Sequence, residues 1–177
     1  MTEDISGTLS DKIWGLNDGS VRLTNMSSDL TRNHVTPIGL LRIDHVGVAV
    51  PDLDAAIDFY QRTFGMTCVH VEENEEQGVR EAMLQVGPSP EGGCVQLLAP
   101  LRPESPIGKF LERSGPGVQQ VAYTVADIDA TCAALRERGV RLLYDEPKIG
   151  TAGSRINFIH PKDAGGVLVE LVQLNIE

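Results

Sequence analysis

The stretch Ile43-Asp44-His45-Val46-Gly47-Val48-Ala49-Val50 returns 75 residues later as Val118-Gln119-Gln120-Val121-Ala122-Tyr123-Thr124-Val125. The residues that follow, Asp52-Leu53-Asp54-Ala55, return more closely still, as Asp127-Ile128-Asp129-Ala130. At a shift of 74, Val95-Gln96-Leu97-Leu98 matches Val169-Glu170-Leu171-Val172. A duplication of this length within 177 residues implies one domain of two similar halves.

Each half reads as βαβββ. The β-branched run from Leu41 to Val50 suits a strand, and Asp52 then offers a helix N-cap carboxylate. Leu53, Ile57, Tyr60 and Phe64 recur at helical spacing up to a stop at Gly65. Strands over Thr67 to Glu72, Val79 to Val86 and Cys94 to Ala99 complete the first half, separated by polar turns. A connecting helix, Ile107 to Arg113, leads to the second copy: a strand from Val118 to Val125 and a helix from Asp127 to Arg138 closed by Gly139. Its remaining strands are expected at Arg141 to Tyr144, Arg155 to His160 and Val167 to Leu174, with a glycine-bearing loop from Lys148 to Gly153. The fold class expected is therefore α+β, two βαβββ repeats whose curved mixed sheets share a cleft, with helices outside. The expected division is an N-terminal extension, 1–40, and a domain, 41–177. Within the domain, repeat one spans 41–100, the connector helix 105–114 and repeat two 117–175. The extension is rich in Ser, Thr, Asn, Asp and Gly, and Trp14, Val21 and Leu23 are its candidates for packing.

A net charge of −10 argues against nucleic acid and anionic membranes as partners, since phosphate neutralisation needs a basic face. Cys68, Cys94 and Cys132 are odd in number and lack Cys-x-x-Cys spacing, which argues against a disulfide framework or zinc ribbon. Without a long uncharged apolar run or a basic N-terminal leader, the expected location is the cytoplasm.

The duplication also places polar residues. His45 and Gln120 are equivalent, as are Gln96 and Glu170, and all four interrupt apolar strands. Buried polar groups without partners cost about 1–3 kcal/mol each, so four at matched positions point to a shared site. An imidazole nitrogen, two amide oxygens and a carboxylate suit a divalent ion such as Co, Mn, Ni or Zn with open positions, acting as a Lewis acid. A shift of 74 pairs Glu81 with Arg155. Lys109, Lys148, Arg155 and Lys162 are the candidate sources of a basic patch for an anionic substrate, while His70 and the Glu72–Glu76 run read as surface groups.

Four stretches carry a family resemblance: residues 43–50, 74–84 (Asn74-Glu75-Glu76-Gln77-Gly78-Val79-Arg80-Glu81-Ala82-Met83-Leu84), 105–111 (Ser105-Pro106-Ile107-Gly108-Lys109-Phe110-Leu111) and 160–171. From about Leu41 to Gln173 the sequence resembles the methylmalonyl-CoA epimerases of the glyoxalase, or vicinal-oxygen-chelate (VOC), superfamily. The resemblance implies metal ligands at His45, Gln96, Gln120 and Glu170, acid/base roles for Glu81 and Glu170, an acyl-CoA substrate and a homodimer. It also carries a departure: where the family has two histidines after the Gly-x-Gly turn, this chain has Gln119-Gln120. An amide oxygen in place of imidazole lowers affinity for late transition metals. Besides epimerisation, the sequence leaves open another VOC isomerase, lyase or cyclase acting on a carbonyl or acyl-CoA substrate, and a metal-free small-molecule or drug-binding protein.

Overall fold

The structure, a computed structural model, describes residues 37–89 and 92–175. Trp14, Val21 and Leu23, assigned to the N-terminal extension, lie outside them. Repeat one supplies β1 (Leu40–Ala49), α1 (Leu53–Phe64), β2 (Thr67–Asn74), β3 (Val79–Gln85) and β4 (Cys94–Pro100). After α2 (Pro106–Ser114), repeat two supplies β5 (Gly117–Val125), α3 (Ile128–Glu137), β6 (Lys148–Ile149), β7 (Arg155–Ile159) and β8 (Leu168–Gln173). The eight strands form one mixed sheet in the order β2-β3-β4-β1-β5-β8-β7-β6. Its centre is the antiparallel pair β1–β5, and each of these strands runs parallel to the last strand of its own repeat.

The two long helices start alike. Asp52 accepts a hydrogen bond from Ala55 N at 3.0 Å, and Asp127 accepts one from Ala130 N at 2.9 Å. Such caps satisfy amides that the first helical turn leaves free. Each helix covers one half of the sheet's outer face. Leu53 of α1 packs with Val50, Ala82, Leu84, Leu97 and Ala99, and Ile128, Cys132 and Leu135 of α3 pack with Val125, Ile159 and Leu171. Because strand side chains alternate, Glu81, Gln96 and Leu98 in repeat one, and Ile156, Glu170 and Val172 in repeat two, face the other way, into the cleft.

One expected strand is not there. Between Arg141 and Tyr144 only Leu142 bridges to β7, at Ile159, and the pairing strand is instead the short β6. The cause is Asn157, a fully buried side chain on β7. Leu143 N donates to Phe158 O at 2.9 Å, but Phe158 N, the next ladder donor, is taken by Asn157 Oδ1 at 2.8 Å; the same side chain accepts from Tyr144 N at 3.2 Å and donates to Tyr144 O at 3.0 Å, ending the ladder there. Truncating it strands Tyr144 N, while Tyr144 O keeps its hydrogen bond from Arg136 Nη2 at 3.1 Å: Asn157→Ala should lower the free energy of unfolding by about 1–3 kcal/mol. Urea denaturation measures this directly.

Candidate active site

Repeat one brings Gln96 on β4, and repeat two Gln120 on β5 and Glu170 on β8, to the wall of the cleft; His45 on β1 meets them from behind Glu170, where it lines a second, smaller cavity. All four are buried. Registers explain the meeting: Gly47 of β1 lies opposite both Gln96 and Gln120, and Ala122 of β5 lies opposite both His45 and Glu170. The small residues leave the space. A Cβ on Gly47 would stand 2.5 Å from Gln120 Cγ and 3.3 Å from Leu98 Cδ1, so only glycine lets the Gln120 side chain cross β1.

The polar ends touch. His45 Nε2 lies 3.1 Å from Glu170 Oε2, and Gln120 Nε2 lies 3.3 Å from Gln96 Oε1, 3.4 Å from His45 Nε2 and 2.5 Å from Glu170 Oε2. Neighbouring donors around a six-coordinate divalent ion with bonds of about 2.1 Å are roughly 3 Å apart, so the spacing fits such an ion once the Gln120 amide turns its oxygen inward. Among the described residues no group of three or more His, Cys, Asp and Glu side chains has metal-binding geometry. Two of the four corners here are amides, and the set favours a hard, oxygen-accepting cation over a thiolate-seeking one.

His45 is held between two carboxylates. Its Nδ1 lies 3.0 Å from Asp44 Oδ1, and Asp44 also accepts from Thr124 Oγ1 at 2.7 Å and Arg42 Nη2 at 3.1 Å. Burial by itself lowers the imidazole pKa, but the hydrogen bonds to Asp44 and Glu170 outweigh it and raise it to about 9. A cation binding at Nε2 therefore displaces a proton at neutral pH.

Glu81, on β3, forms the adjoining wall. Its Oε1 accepts from Thr151 Oγ1 at 2.6 Å and its Oε2 from Gln96 Nε2 at 3.1 Å. Burial, together with the carboxylates of Glu72 and Glu170, pushes its pKa up to about 7 against the opposing hydrogen bond from Thr151. A carboxyl so tuned both takes and gives a proton near neutrality.

Several side chains behave differently from their sequence reading. Glu72, read as a solvated loop charge, is only partly exposed. It faces Glu81 across the β2–β3 pair, accepts from Ala152 N at 3.2 Å and lies 2.5 Å from His70 Nε2. Thr151, which gave no signal in sequence, hydrogen-bonds both Glu81 and Gln96 from a short 3-10 turn, Thr151–Gly153. Arg155 is not the equivalent of Glu81. Glu81 pairs with Leu98 and Ile156 with Val172, so the residue lost between repeats falls in the β7–β8 turn, and Ile156 holds the matching place. Arg155 forms an ion pair at 2.7 Å with Asp129 of α3.

The cleft has a volume of about 330 Å³, and Lys148 lines its mouth beside Arg102, a residue the sequence reading did not select. Lys148 Nζ lies 2.8 Å from Glu76 Oε1 and 4.9 Å from the Tyr144 ring centroid. Arg102 Nη2 donates to Glu75 O at 3.1 Å. Lys109 on α2 and Lys162 in the turn after β7 are exposed and, like Arg155, are not among the residues lining the cleft.

A duplicated βαβββ sheet around a cleft cornered by imidazole, amides and carboxylate defines a protein of the glyoxalase, or VOC, class. Residues 44–158 match the family model described as Glyoxalase/Bleomycin resistance protein/Dioxygenase superfamily. The mitochondrial methylmalonyl-CoA epimerase of Mus musculus is 41% identical over 133 residues, 75% of this chain and 72% of that protein. The crystal structure of methylmalonyl-CoA epimerase from Mycobacterium tuberculosis is 55% identical, with a TM-score of 0.74 over 77% of this chain and 90% of that one. A variant of Streptomyces coelicolor methylmalonyl-CoA epimerase in complex with 2-nitronate-propionyl-CoA is 51% identical, with a TM-score of 0.74 over 78% and 100%. The chain belongs to the methylmalonyl-CoA epimerase family of that superfamily.

Two substitutions probe the corner at Gln120. Gly47→Ala, by displacing its side chain, should weaken Mn or Co binding about tenfold or more, whereas Gln120→His, by restoring imidazole, should strengthen it. Calorimetric titration of the two variants reads both changes.

Proposed function

We propose that this protein epimerises methylmalonyl-CoA, or a related 2-substituted malonyl-CoA, by removing the α-proton and returning it to the opposite face. The observation that carries the reading is Glu81: a buried carboxyl with its pKa near 7, set in the cleft wall beside the His45/Gln96/Gln120/Glu170 cluster. Membership of a family whose relatives are methylmalonyl-CoA epimerases supplies the substrate.

The carbon between a thioester and a carboxylate loses its proton only if the developing enolate charge is held. His45, Gln96, Gln120 and Glu170 are the residues that would hold a divalent ion, Co, Mn, Ni or Zn, and such an ion supplies Lewis-acid stabilisation of that charge. Glu81 takes the proton on one face, poised by burial, and Thr151 and Gln96 fix the orientation of its two oxygens. Glu170, across the cleft, serves the other face. Lys148 and Arg102 meet the phosphates of the CoA arm at the mouth, in place of their present pairings with Glu76 and Glu75. The apolar remainder, Leu98, Ile107, Ile156 and Phe158, lines the same cleft and limits water around the enolate.

Of the alternatives, a pure binding protein gains nothing from a buried carboxyl tuned near neutrality. Among the described residues no helix is long and apolar enough to cross a membrane. Exposed Leu40, Leu41 and Ile43 on β1 supply apolar surface for a homodimer. Sedimentation at micromolar concentration should give twice the chain mass; a monomer contradicts that part of the reading.

The reaction is tested by following conversion of one methylmalonyl-CoA epimer into the other with added Co or Mn. Glu81→Gln should lower kcat by about 100-fold or more with KM little changed, since the carboxyl acts on the proton in flight. In the direction where Glu81 takes the proton it must be ionised, so kcat should rise with pH through about 7 and level off above it. Failure of the wild-type protein to interconvert the epimers overturns the assignment.

A further inference from the structure

At three places the central β1–β5 ladder loses register; the first leaves Leu41 as an extra residue near the strand's start, and the other two reach the site. Ile43 pairs with Tyr123 but His45 with Ala122, leaving Asp44 as an extra residue; Gly47 pairs with Gln120 but Val48 with Val118, leaving Gln119 as another. These two bulges are related by the internal repeat, 44 to 119. A bulge re-aims the side chain it carries, which explains how two consecutive residues of one strand, Gln119 and Gln120, both line the cleft.

The two bulged residues have opposite fates. Asp44 accepts hydrogen bonds from three donors: Arg42, His45 and Thr124. The residues equivalent to those donors around Gln119 are Gly117, Gln120 and Ala49. Glycine and alanine have nothing to give, and Gln120 Nε2 is directed at Glu170, Gln96 and His45. Gln119 Oε1 is accordingly the buried side-chain oxygen that, among the described residues, has no hydrogen-bond partner. An acceptor buried without a donor is costly, and here it sits in the wall of a substrate cleft.

We infer that Gln119 Oε1 accepts a hydrogen bond from the substrate, and that the donor is the cysteamine amide N–H of the pantetheine arm. This rests on the reading of the cleft as an acyl-CoA site. The malonyl end of such a substrate offers only acceptor oxygens and carbon-bound hydrogens. The first N–H along the arm belongs to the cysteamine amide, two carbons beyond the thioester sulfur. Gln119 neighbours Gln120, and adjacent Cα atoms are about 3.8 Å apart, so its amide lies one residue's reach from the polar cluster. Gln119 is thereby a specificity residue: it distinguishes a pantetheine thioester from a simple one before any chemistry occurs.

The test uses the full-length chain and two inert ligands, propionyl-pantetheine and its counterpart with the cysteamine N–H replaced by an ester oxygen. Competition binding should show wild-type protein preferring the amide by about tenfold. Gln119→Leu should bind both ligands equally, with a melting temperature unchanged or raised because an unsatisfied acceptor has been removed. A variant that keeps the preference, or a wild-type protein without one, overturns the inference. Failure here is separable from failure of the proposed reaction: epimerisation without the preference removes only the role of Gln119. The preference without epimerisation removes only the reaction.

Discussion

Everything in the cleft depends on how β1 lies against β5. This one antiparallel pair joins the repeats, and its register sets Gly47 against Gln120 and His45 against Ala122. A slip by one residue would turn His45 and Gln120 out of the cluster, because strand side chains alternate with a period of two. The outer face enforces the register through two separate helix-covered cores, one under α1 and one under α3. Apolar packing on one side of the sheet thus holds a polar cluster together on the other.

The cluster is expensive to bury and is satisfied by exchange between repeats. His45 of repeat one lies against Glu170 of repeat two, Gln96 against Gln120, and Glu81 against Thr151. Neither half completes a site alone, which gives a physical reason for the duplicated architecture to persist as a unit. The same crowding of carboxylates has a chemical consequence. Asp44 and Glu170 hold the His45 imidazole protonated at neutral pH, while Glu72 and Glu170, added to burial, hold the Glu81 proton more tightly than an exposed carboxyl would.

Much of this is legible in the amino-acid sequence. Duplication places equivalent side chains in equivalent surroundings, so matching the repeats brought His45, Gln96, Gln120 and Glu170 to one cluster, and family motifs added Glu81. What the sequence concealed has specific causes. A one-residue deletion in the β7–β8 turn made Arg155 look like the partner of Glu81, when the register gives that place to Ile156. Thr151 and Glu72 reach Glu81 by contacts between segments 70 residues apart and across a strand pair, which no local pattern reports. The Asn157 side chain replaced a stretch of ladder that alternation had promised. A bulge, finally, leaves no mark in a sequence, and so Gln119 gave no sign that it shares the cleft with Gln120.

If Glu81 and the polar cluster make the substrate α-proton exchangeable, proton NMR of methylmalonyl-CoA incubated with the cation-loaded protein in deuterium oxide will reveal it. The C2 proton signal should disappear, with deuterium appearing at C2 of the product epimer, and should disappear much more slowly with Glu81→Gln. A C2 proton that survives prolonged incubation with the wild-type protein would contradict that role of Glu81 and the cluster.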